Sequence, residues 1–270
     1  MAKPWADEPY PLITTPAARN VKASPGSIYV ATGMALAHNV MIRYINSIYL
    51  QATGFSGVRD ADAFLLYCRG LCPIIHNHHD SEEKSFFPMI EKLTNSPGIM
   101  DQSIQEHKDF ENGFHTFEKY VIETAATEYD GNALRSILDD FAPPLLRHLN
   151  AEVLTLLSIG ERFGGDKLQK LYDDCEAEIV KDTQAKSDPF IMLPAGFGAV
   201  DRTFESGIHG KWPPFPWFVP YLNKFIFYRR HSSSWRFSPC SNLKRRELQF
   251  VGDNWKGTKA FTEDWSMLGK

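Results

Sequence analysis

Apolar residues recur at alternating steps of three and four positions along four stretches of the chain between residues 26 and 165. This spacing places them on one face of an α-helix and so predicts four amphipathic helices. The helices are predicted at about Ser27–Ala52, Ala61–Leu93, Ile99–Ala126 and Asn132–Phe163. Because the connections between them are short, neighbouring helices should be antiparallel. The pattern therefore predicts an all-α, up-down-up-down four-helix bundle.

The bundle accounts for about half of the 270 residues. Residues 1–25 are rich in proline and alanine, which predicts an N-terminal tail lying over the surface. Residues 166–270 predict a C-terminal extension that packs on the bundle. We expect short helices at about Asp166–Thr183 and Tyr221–Arg230 in it, and otherwise irregular chain rich in proline and aromatic residues. The predicted organisation is thus a tail, a bundle over 26–165 and an extension.

Two of the predicted helices contain proline. Pro73 and the pair Pro143–Pro144 each lie about one turn before a histidine of the same helix. Proline frees a backbone carbonyl and bends a helix, so we interpret both positions as kinks. Widening of the bundle around a site is the alternative.

Composition restricts the classes of partner. The net charge of −4 gives no general attraction to nucleic acid or to anionic membranes, and no apolar run reaches the roughly 18 residues of a membrane span. The first residues lack the pattern of a secretory signal. The four cysteines form no CxxC pair, which favours reduced thiols. We therefore expect a cytoplasmic protein that binds neither nucleic acid nor membrane.

Each predicted helix carries one histidine within its apolar stripe. These histidines are His38, His78, His107 and His148. Glu82 and Glu152 each follow a histidine by four positions, so each pair lies on one helix face. A carboxylate that faces the core is costly without a positive partner, and no lysine or arginine lies on these stripes. A pair of metal ions is the simplest compensation, and these six residues are its predicted ligands.

The donor set favours iron. Imidazole and carboxylate without thiolate suit iron, zinc, manganese or nickel, and mixed nitrogen and oxygen ligation of two metals points mainly to iron. The HExxH pattern of zinc hydrolases is absent. Ferritin-like di-iron proteins use Glu-x-x-His with more glutamates, the reverse of the order here. We predict two non-haem iron ions, with Glu82 and Glu152 bridging and the histidines terminal.

Other residues compete for these positions. His79 and Glu83 repeat the spacing of His78 and Glu82 one residue further on, although on a less continuously apolar stripe. Glu111 follows His107 by one turn and is another candidate ligand. The choice among them stays open at this stage.

Some residues near these stripes have simpler explanations. His76 and His115 are expected close to the site or on the surface. Arg43 and Tyr44 either support the ligands from outside or form a salt bridge and a packed ring.

Basic and aromatic residues cluster in the extension. They are Tyr228, Arg229, Arg230, His231, Trp235, Lys244, Arg245 and Arg246. Nucleic acid binds to such residues, but a solvated basic rim with cation–π contacts also accounts for them. A third interpretation is that the segment closes one end of the bundle and shapes a pocket for an organic substrate.

Four motifs resemble those of the hemerythrin-like (HHE) cation-binding domains over about residues 28–163. They are HNVMIR from His38, HHxxEExxFFP from His78, EH at 106–107 and HLNAE from His148. WPPFPW and WRFSPC in the extension resemble fungal members of that family. The resemblance implies a left-turning four-helix bundle that holds a non-haem di-iron centre and binds or reacts with dioxygen.

The chain departs from the oxygen-carrying members in two places. A His-x-x-x-His pair on the third helix is missing, since Ser103 and Glu111 flank His107 at four positions. The carboxylate on the fourth helix is Glu152, one residue earlier than in the carriers, and Val153 takes their position. The chain thus has one imidazole fewer than the carriers, or a glutamate in its place. An open or more anionic iron favours oxygen activation over reversible carriage.

These features together predict a protein that binds dioxygen and uses it to oxidise a small organic molecule. The alternative is a non-catalytic protein that binds oxygen or iron as a sensor, store or carrier. A third interpretation is a bundle whose metal only stabilises the fold.

Overall fold

The computed structural model describes residues 4–251, except for the side chains of residues 182–186. The centre of this part is a ring of helices. Its members are α1 (Pro25–Gln51), a segmented second arm (58–94), α5 (Asp101–Glu123) and α6 (Gly131–Phe163). Helix α6 packs along both α1 and α5, and the second arm closes the ring between α5 and α1. The prediction of an all-α four-helix bundle is confirmed.

Side chains and left-handed residues mark the helix ends. Ser24 precedes α1, and its hydroxyl accepts a hydrogen bond from the backbone of Ser27. Asp130 caps α6 in the same way through the backbone of Asn132, at 2.8 Å. Asn95 ends the second arm in the left-handed conformation, with φ of 49°. These caps explain why the predicted ends of the helices agree well with the structure.

The second arm is divided, although the sequence predicts one helix there. Its segments are α2 (Val58–Arg69), α3 (Leu71–Ser81), a π-helical turn (Glu82–Phe86) and α4 (Phe87–Thr94). Pro73 has no N–H to donate, and the break at Gly70 places it in the first turn of α3, where none is needed. A Cβ on Gly70 would lie 2.5 Å from the Tyr44 hydroxyl, so this close packing requires glycine. The paired prolines of α6 leave that helix continuous.

The extension contains more helix than the sequence predicts. Its elements are α7 (Gly165–Lys186), α8 (Pro189–Ala199), a 3₁₀ turn (Phe204–Gly207), α9 (Val219–Leu222), a π-helical turn (Asn223–Phe227), α10 (Tyr228–Arg230), α11 (Ser232–Trp235), and the antiparallel strands β1 (Cys240–Ser241) and β2 (Lys244–Arg245). A further 3₁₀ turn, Ala126–Glu128, joins α5 to α6. The helices predicted near 166–183 and 221–230 are confirmed. We expected irregular chain at α8, but Pro189 lies in its first turn and Asp188 caps it.

The N-terminal segment packs on the polar side of α1. The side-chain amide of Asn46 accepts from the backbone N–H of Tyr10 at 2.9 Å and donates to its carbonyl at 2.7 Å. Asn39 forms the same pair of bonds with Ile13, both at 2.8 Å. Tyr10 and Ile13 are buried, so the segment is part of the packed interior and does not simply lie over it.

The extension covers the same helix further along. The side chains of Ser47 and Gln51 both donate to the carbonyl of Phe237 at 2.7 Å. The carboxylate of Glu205 in the extension accepts hydrogen bonds from the backbone N–H and the hydroxyl of Thr15, and these bonds join the extension to the N-terminal segment. Helix α1 is therefore buried on nearly all sides.

The division of the chain at residues 25 and 165 stays a prediction, and its outer parts, 1–3 and 252–270, lie outside the described residues. All four cysteines are buried and free of disulfides. In residues 4–251, no helix is both long and apolar enough to cross a membrane.

We predict that Asn46→Ala lowers the free energy of unfolding by about 3 kcal/mol, because it removes three hydrogen bonds between the Asn46 side chain and the backbone of Ala6 and Tyr10. Urea unfolding followed by circular dichroism measures this change. The control is Asn112→Ala on the exposed face of α5, which should change it by less than about 0.5 kcal/mol. Equal effects of the two substitutions would contradict the role assigned to the N-terminal segment.

Candidate metal centre

The structure brings all six predicted ligands into one buried cluster. His38 comes from α1, His78 from α3 and His107 from α5, while α6 supplies His148 and Glu152. The sixth, Glu82, begins the π-helical turn. The side chains of His38, His148 and Glu152 are fully buried, and that of His78 is 17% exposed. Their convergence in the core follows from the apolar stripes on which they lie.

The donor atoms form two groups. The first group contains His38, His78, Glu82 and Glu152, whose ligand atoms all lie within 4.8 Å of one another. The Nε2 atom of His38 is 3.2 Å from Oε2 of Glu152 and 3.0 Å from Nε2 of His78. The Nε2 atom of His78 is 2.8 Å from Oε1 of Glu82. Two imidazoles and two carboxylates thus surround one point.

The second group contains His79, Glu82, His107 and His148 within the same limit of 4.8 Å. The Nε2 atoms of His107 and His148 are 3.1 Å apart, and Nε2 of His107 is 3.6 Å from Oε2 of Glu82. Glu82 belongs to both groups, and its two oxygens face different groups. The two groups are therefore adjacent and share one carboxylate, and each could hold a cation.

The sequence favours His78 over His79 as a metal ligand. We regarded His78 and His79 as competitors for one position, but each lies in its own group. A signal for His79 was present, since Ile75, His79, Glu82 and Phe86 follow steps of four, three and four. Its neighbour Glu83 lies outside the groups, 44% exposed, with Oε1 2.6 Å from Nδ1 of His107.

The remaining alternatives lie outside the cluster. His76, His115 and Glu111 are exposed and belong to neither group. Arg43 is buried against the extension, where its guanidinium lies over the ring of Phe204. Tyr44 is a packed ring whose hydroxyl donates to a carbonyl of α2.

Two imidazoles are oriented by backbone carbonyls. Nδ1 of His38 is 2.8 Å from the carbonyl of Leu149, and Nδ1 of His79 is 3.0 Å from that of Ile75. Because a carbonyl only accepts, Nδ1 carries the hydrogen in each case and Nε2 has a free lone pair. Both lone pairs point into the cluster. This is the tautomer in which histidine binds a metal through Nε2.

Two more imidazoles are oriented by carboxylates. Nδ1 of His107 donates to Glu83, and Nδ1 of His148 lies 3.2 Å from Oε2 of Glu106. In their neutral forms the Nε2 atoms of these histidines therefore also present lone pairs to the interior. The lone pairs on Nε2 of neutral His107 and His148, whose nitrogens are 3.1 Å apart, repel each other unless a cation lies between them. A carboxylate behind the histidine is the usual support of a metal ligand.

The two buried carboxylates also lack hydrogen-bond partners within the described part of the chain. None of the four oxygen atoms of Glu82 and Glu152 accepts a hydrogen bond from the described residues. Burial and the neighbouring charge of Glu152 raise the pKa of Glu82 well above its usual value. Burial acts in the same direction on Glu152, and only positive charge on the surrounding histidines, His38 first and then His148 and His78, lowers its pKa. Without a bound cation, Glu82 and Glu152 would hold negative charge or a shared proton in the core, and buried charge of this kind is costly.

Four of the five imidazoles provide no positive charge of their own. Burial lowers the pKa of His38, His78 and His107 to about 4, although nearby glutamates oppose this shift. Burial also lowers the pKa of His79 well below its usual value. At neutral pH these four rings are uncharged. His148 differs: burial acts to lower its pKa, but the hydrogen bond with Glu106 and the charges of Glu152 and Glu82 outweigh burial and raise that pKa. The donors, their tautomers and the buried carboxylates therefore fit bound cations.

Comparison with known proteins assigns the family. The profile of the hemerythrin HHE cation-binding domain matches residues 31–158. "Dimeric xanthone biosynthesis cluster protein R11" of Cryptosporiopsis sp. (strain 8999) is 36% identical over 252 residues, which cover 92% of this chain and 94% of that protein. No solved structure matches. The chain belongs to the hemerythrin HHE cation-binding family, which agrees with the resemblance of its four motifs.

We predict that Glu106→Ala weakens cation binding about 10- to 100-fold, because His148 loses the carboxylate that orients its ring. Titration with zinc in the presence of a competing chelator measures the affinity. Glu118→Ala is the matched control, since Glu118 pairs with a histidine outside the cluster, His76, at 3.0 Å. Unchanged affinity in Glu106→Ala would show that this contact does not orient a ligand.

Proposed function

We propose that this protein is a non-haem di-iron protein that binds dioxygen and uses it to oxidise a small organic molecule. The observation that carries the proposal is the pair of four-donor groups that meet at Glu82. Mixed nitrogen and oxygen donors without thiolate suit iron, and the nearest alternatives are zinc and manganese.

The two carboxylates have different roles in this proposal. Glu82 bridges, since Oε1 is 2.8 Å from Nε2 of His78 in the first group and Oε2 faces His107 in the second. Glu152 belongs to the first group, although its Oε2 is also 3.9 Å from Nε2 of His148. The geometry supports bridging more strongly for Glu82 than for Glu152.

The protein would control the environment of the reaction. Bound iron would supply the reducing electrons and the Lewis acidity that dioxygen chemistry requires. The hydrogen bonds at Nδ1 hold the imidazoles in place and leave Nε2 free for ligation. Burial excludes water, which strengthens each electrostatic contact in the cluster. His78 is the most exposed ligand of the first group, so we place the approach of dioxygen on the side of α3.

The similar protein supports an organic substrate. Its name assigns it to a biosynthetic cluster for dimeric xanthones, which are aromatic molecules. We therefore propose an aromatic small molecule as the electron donor and dioxygen as the electron acceptor. Nucleic acid has no role in this proposal, and a cytoplasmic location remains our expectation.

A second candidate function is a non-catalytic oxygen or iron binder, and a specific observation favours it. His79 supplies an imidazole, so the cluster contains five histidines and lacks the deficit inferred from the third helix. The departure from the oxygen carriers is thus smaller than the sequence indicates. The two candidates differ in whether iron is oxidised when dioxygen arrives.

We predict that the protein binds two iron ions per chain and that Glu82→Gln reduces this number below one, because both groups lose the same carboxylate. Glu152→Gln should retain about one ion in the second group. Elemental analysis after loading with ferrous iron under anaerobic conditions gives the numbers. Glu111→Gln, exposed on α5, is the control that should retain two. Two ions in Glu82→Gln would rule out a shared carboxylate.

We predict that the ferrous protein, mixed once with a substoichiometric amount of dioxygen, consumes it and becomes ferric. An oxygen electrode and the optical spectrum follow the reaction, and removal of the gas should not restore the ferrous spectrum. A spectrum that reverts fully under argon would support the non-catalytic binder. Protein loaded with zinc is the control, since zinc has no redox chemistry.

A further inference from the structure

A helix of the extension turns its apolar stripe toward solvent. The residues of this stripe, with the tryptophan that precedes it, are Trp217, Phe218, Tyr221, Leu222, Phe225 and Ile226. From Phe218 onward they follow steps of three and one, which places them on one face of the helical run 219–230. Their exposed fractions range from 37% for Leu222 to 80% for Trp217. Apolar residues at such spacing normally face a core, so this stripe is available for a partner.

The opposite face of the same helix is firmly packed. Asn223 is buried, and the ring of Phe227 lies 5.3 Å from that of Phe190 on α8. Just before the helix, Phe215 stacks on Phe197 with 4.5 Å between ring centroids. The exposure of the stripe therefore does not result from a detached segment.

Charge is strongly segregated along the part of the sequence that contains this stripe. Residues 206–246 contain eight of the 29 Lys and Arg residues and none of the 33 Asp and Glu residues. The rest of the chain, with 21 basic and 33 acidic residues, has a net charge of −12. Lys211, Lys224, Arg229 and Arg230 are exposed, and none forms an ion pair with an acidic residue among those described. The net charge of −4 conceals this local excess of positive charge.

We propose that this surface docks the protein on an anionic phospholipid bilayer, with the helix 219–230 lying in the plane of the interface. Trp217 and Tyr221 have the amphipathic rings that favour the headgroup region, and Phe225 and Ile226 reach toward the acyl chains. The surrounding lysines and arginines contact lipid phosphates. This role is independent of the proposed oxidation, and it replaces the expectation that the protein binds no membrane.

The charge pattern argues against the obvious competitor, a second copy of this chain. In a two-fold symmetric dimer the same patch faces itself, so the basic residues around the stripe would oppose each other. An acidic protein partner would avoid that repulsion. However, the four exposed basic residues Lys211, Lys224, Arg229 and Arg230, which pair with no acid among the described residues, favour a uniformly anionic surface over one with mixed charges.

Cosedimentation of the full chain with vesicles tests the proposal. We expect binding to vesicles of phosphatidylcholine mixed with phosphatidylserine, weaker binding at high salt, and little binding to phosphatidylcholine alone. The double variant Trp217→Ser/Phe225→Ser and the double variant Lys224→Glu/Arg229→Glu should each weaken binding by about tenfold or more. All four side chains are exposed, so the fold should not change.

Matched controls separate a specific surface from general stickiness. Ile122→Ser removes a side chain of similar exposure, 55%, on α5, and Lys108→Glu/Lys119→Glu reverses two exposed charges on the same helix. Both should bind vesicles as the unaltered chain does. Absence of binding to the mixed vesicles would overturn the proposal, as would equal loss in the controls. Light scattering that shows a dimer abolished by Trp217→Ser/Phe225→Ser would assign the stripe to a second copy instead.

Discussion

Two glutamates buried in the core impose the main energetic constraint on this protein. Glu82 and Glu152 lie in the core with no hydrogen bond from the described residues to their oxygens, surrounded by five histidines. Such an arrangement is unfavourable by itself, because desolvated negative charge and opposed lone pairs both raise the energy. Bound cations convert the same contacts into ligand bonds. The folding energy of the bundle and its affinity for cations are therefore coupled.

The irregular features of the bundle serve this cluster. The break at Gly70 and the π-helical turn from Glu82 allow one arm to direct His78, His79 and Glu82 inward together. A π-helical turn adds a residue to the helical repeat, and such turns are frequent at functional sites. Outside the two donor groups, Glu83 and Glu106 orient two of the imidazoles. The site thus depends on local departures from regular helix as much as on the bundle.

The ends of the chain complete the environment of the site. Helix α1, which carries His38, has polar residues on the side away from the cluster, and the N-terminal segment and the extension bond to them. This cover keeps α1 out of water along most of its length. The extension has a second face, which concentrates positive charge and exposed aromatic rings. One segment thus insulates the bundle and presents a surface of its own.

The sequence by itself determined the bundle, its helix ends and six members of the cluster, because these depend on local periodicity, capping and the cost of a carboxylate on an apolar stripe. It also indicated the family through four motifs. Only the tertiary structure decided that His78 and His79 point into different groups, since this depends on the backbone path through the turn at Glu82. The same holds for the buried N-terminal segment and for the exposed stripe of the extension. Periodicity marks an apolar face, but the packing of distant segments decides whether that face meets a core or solvent.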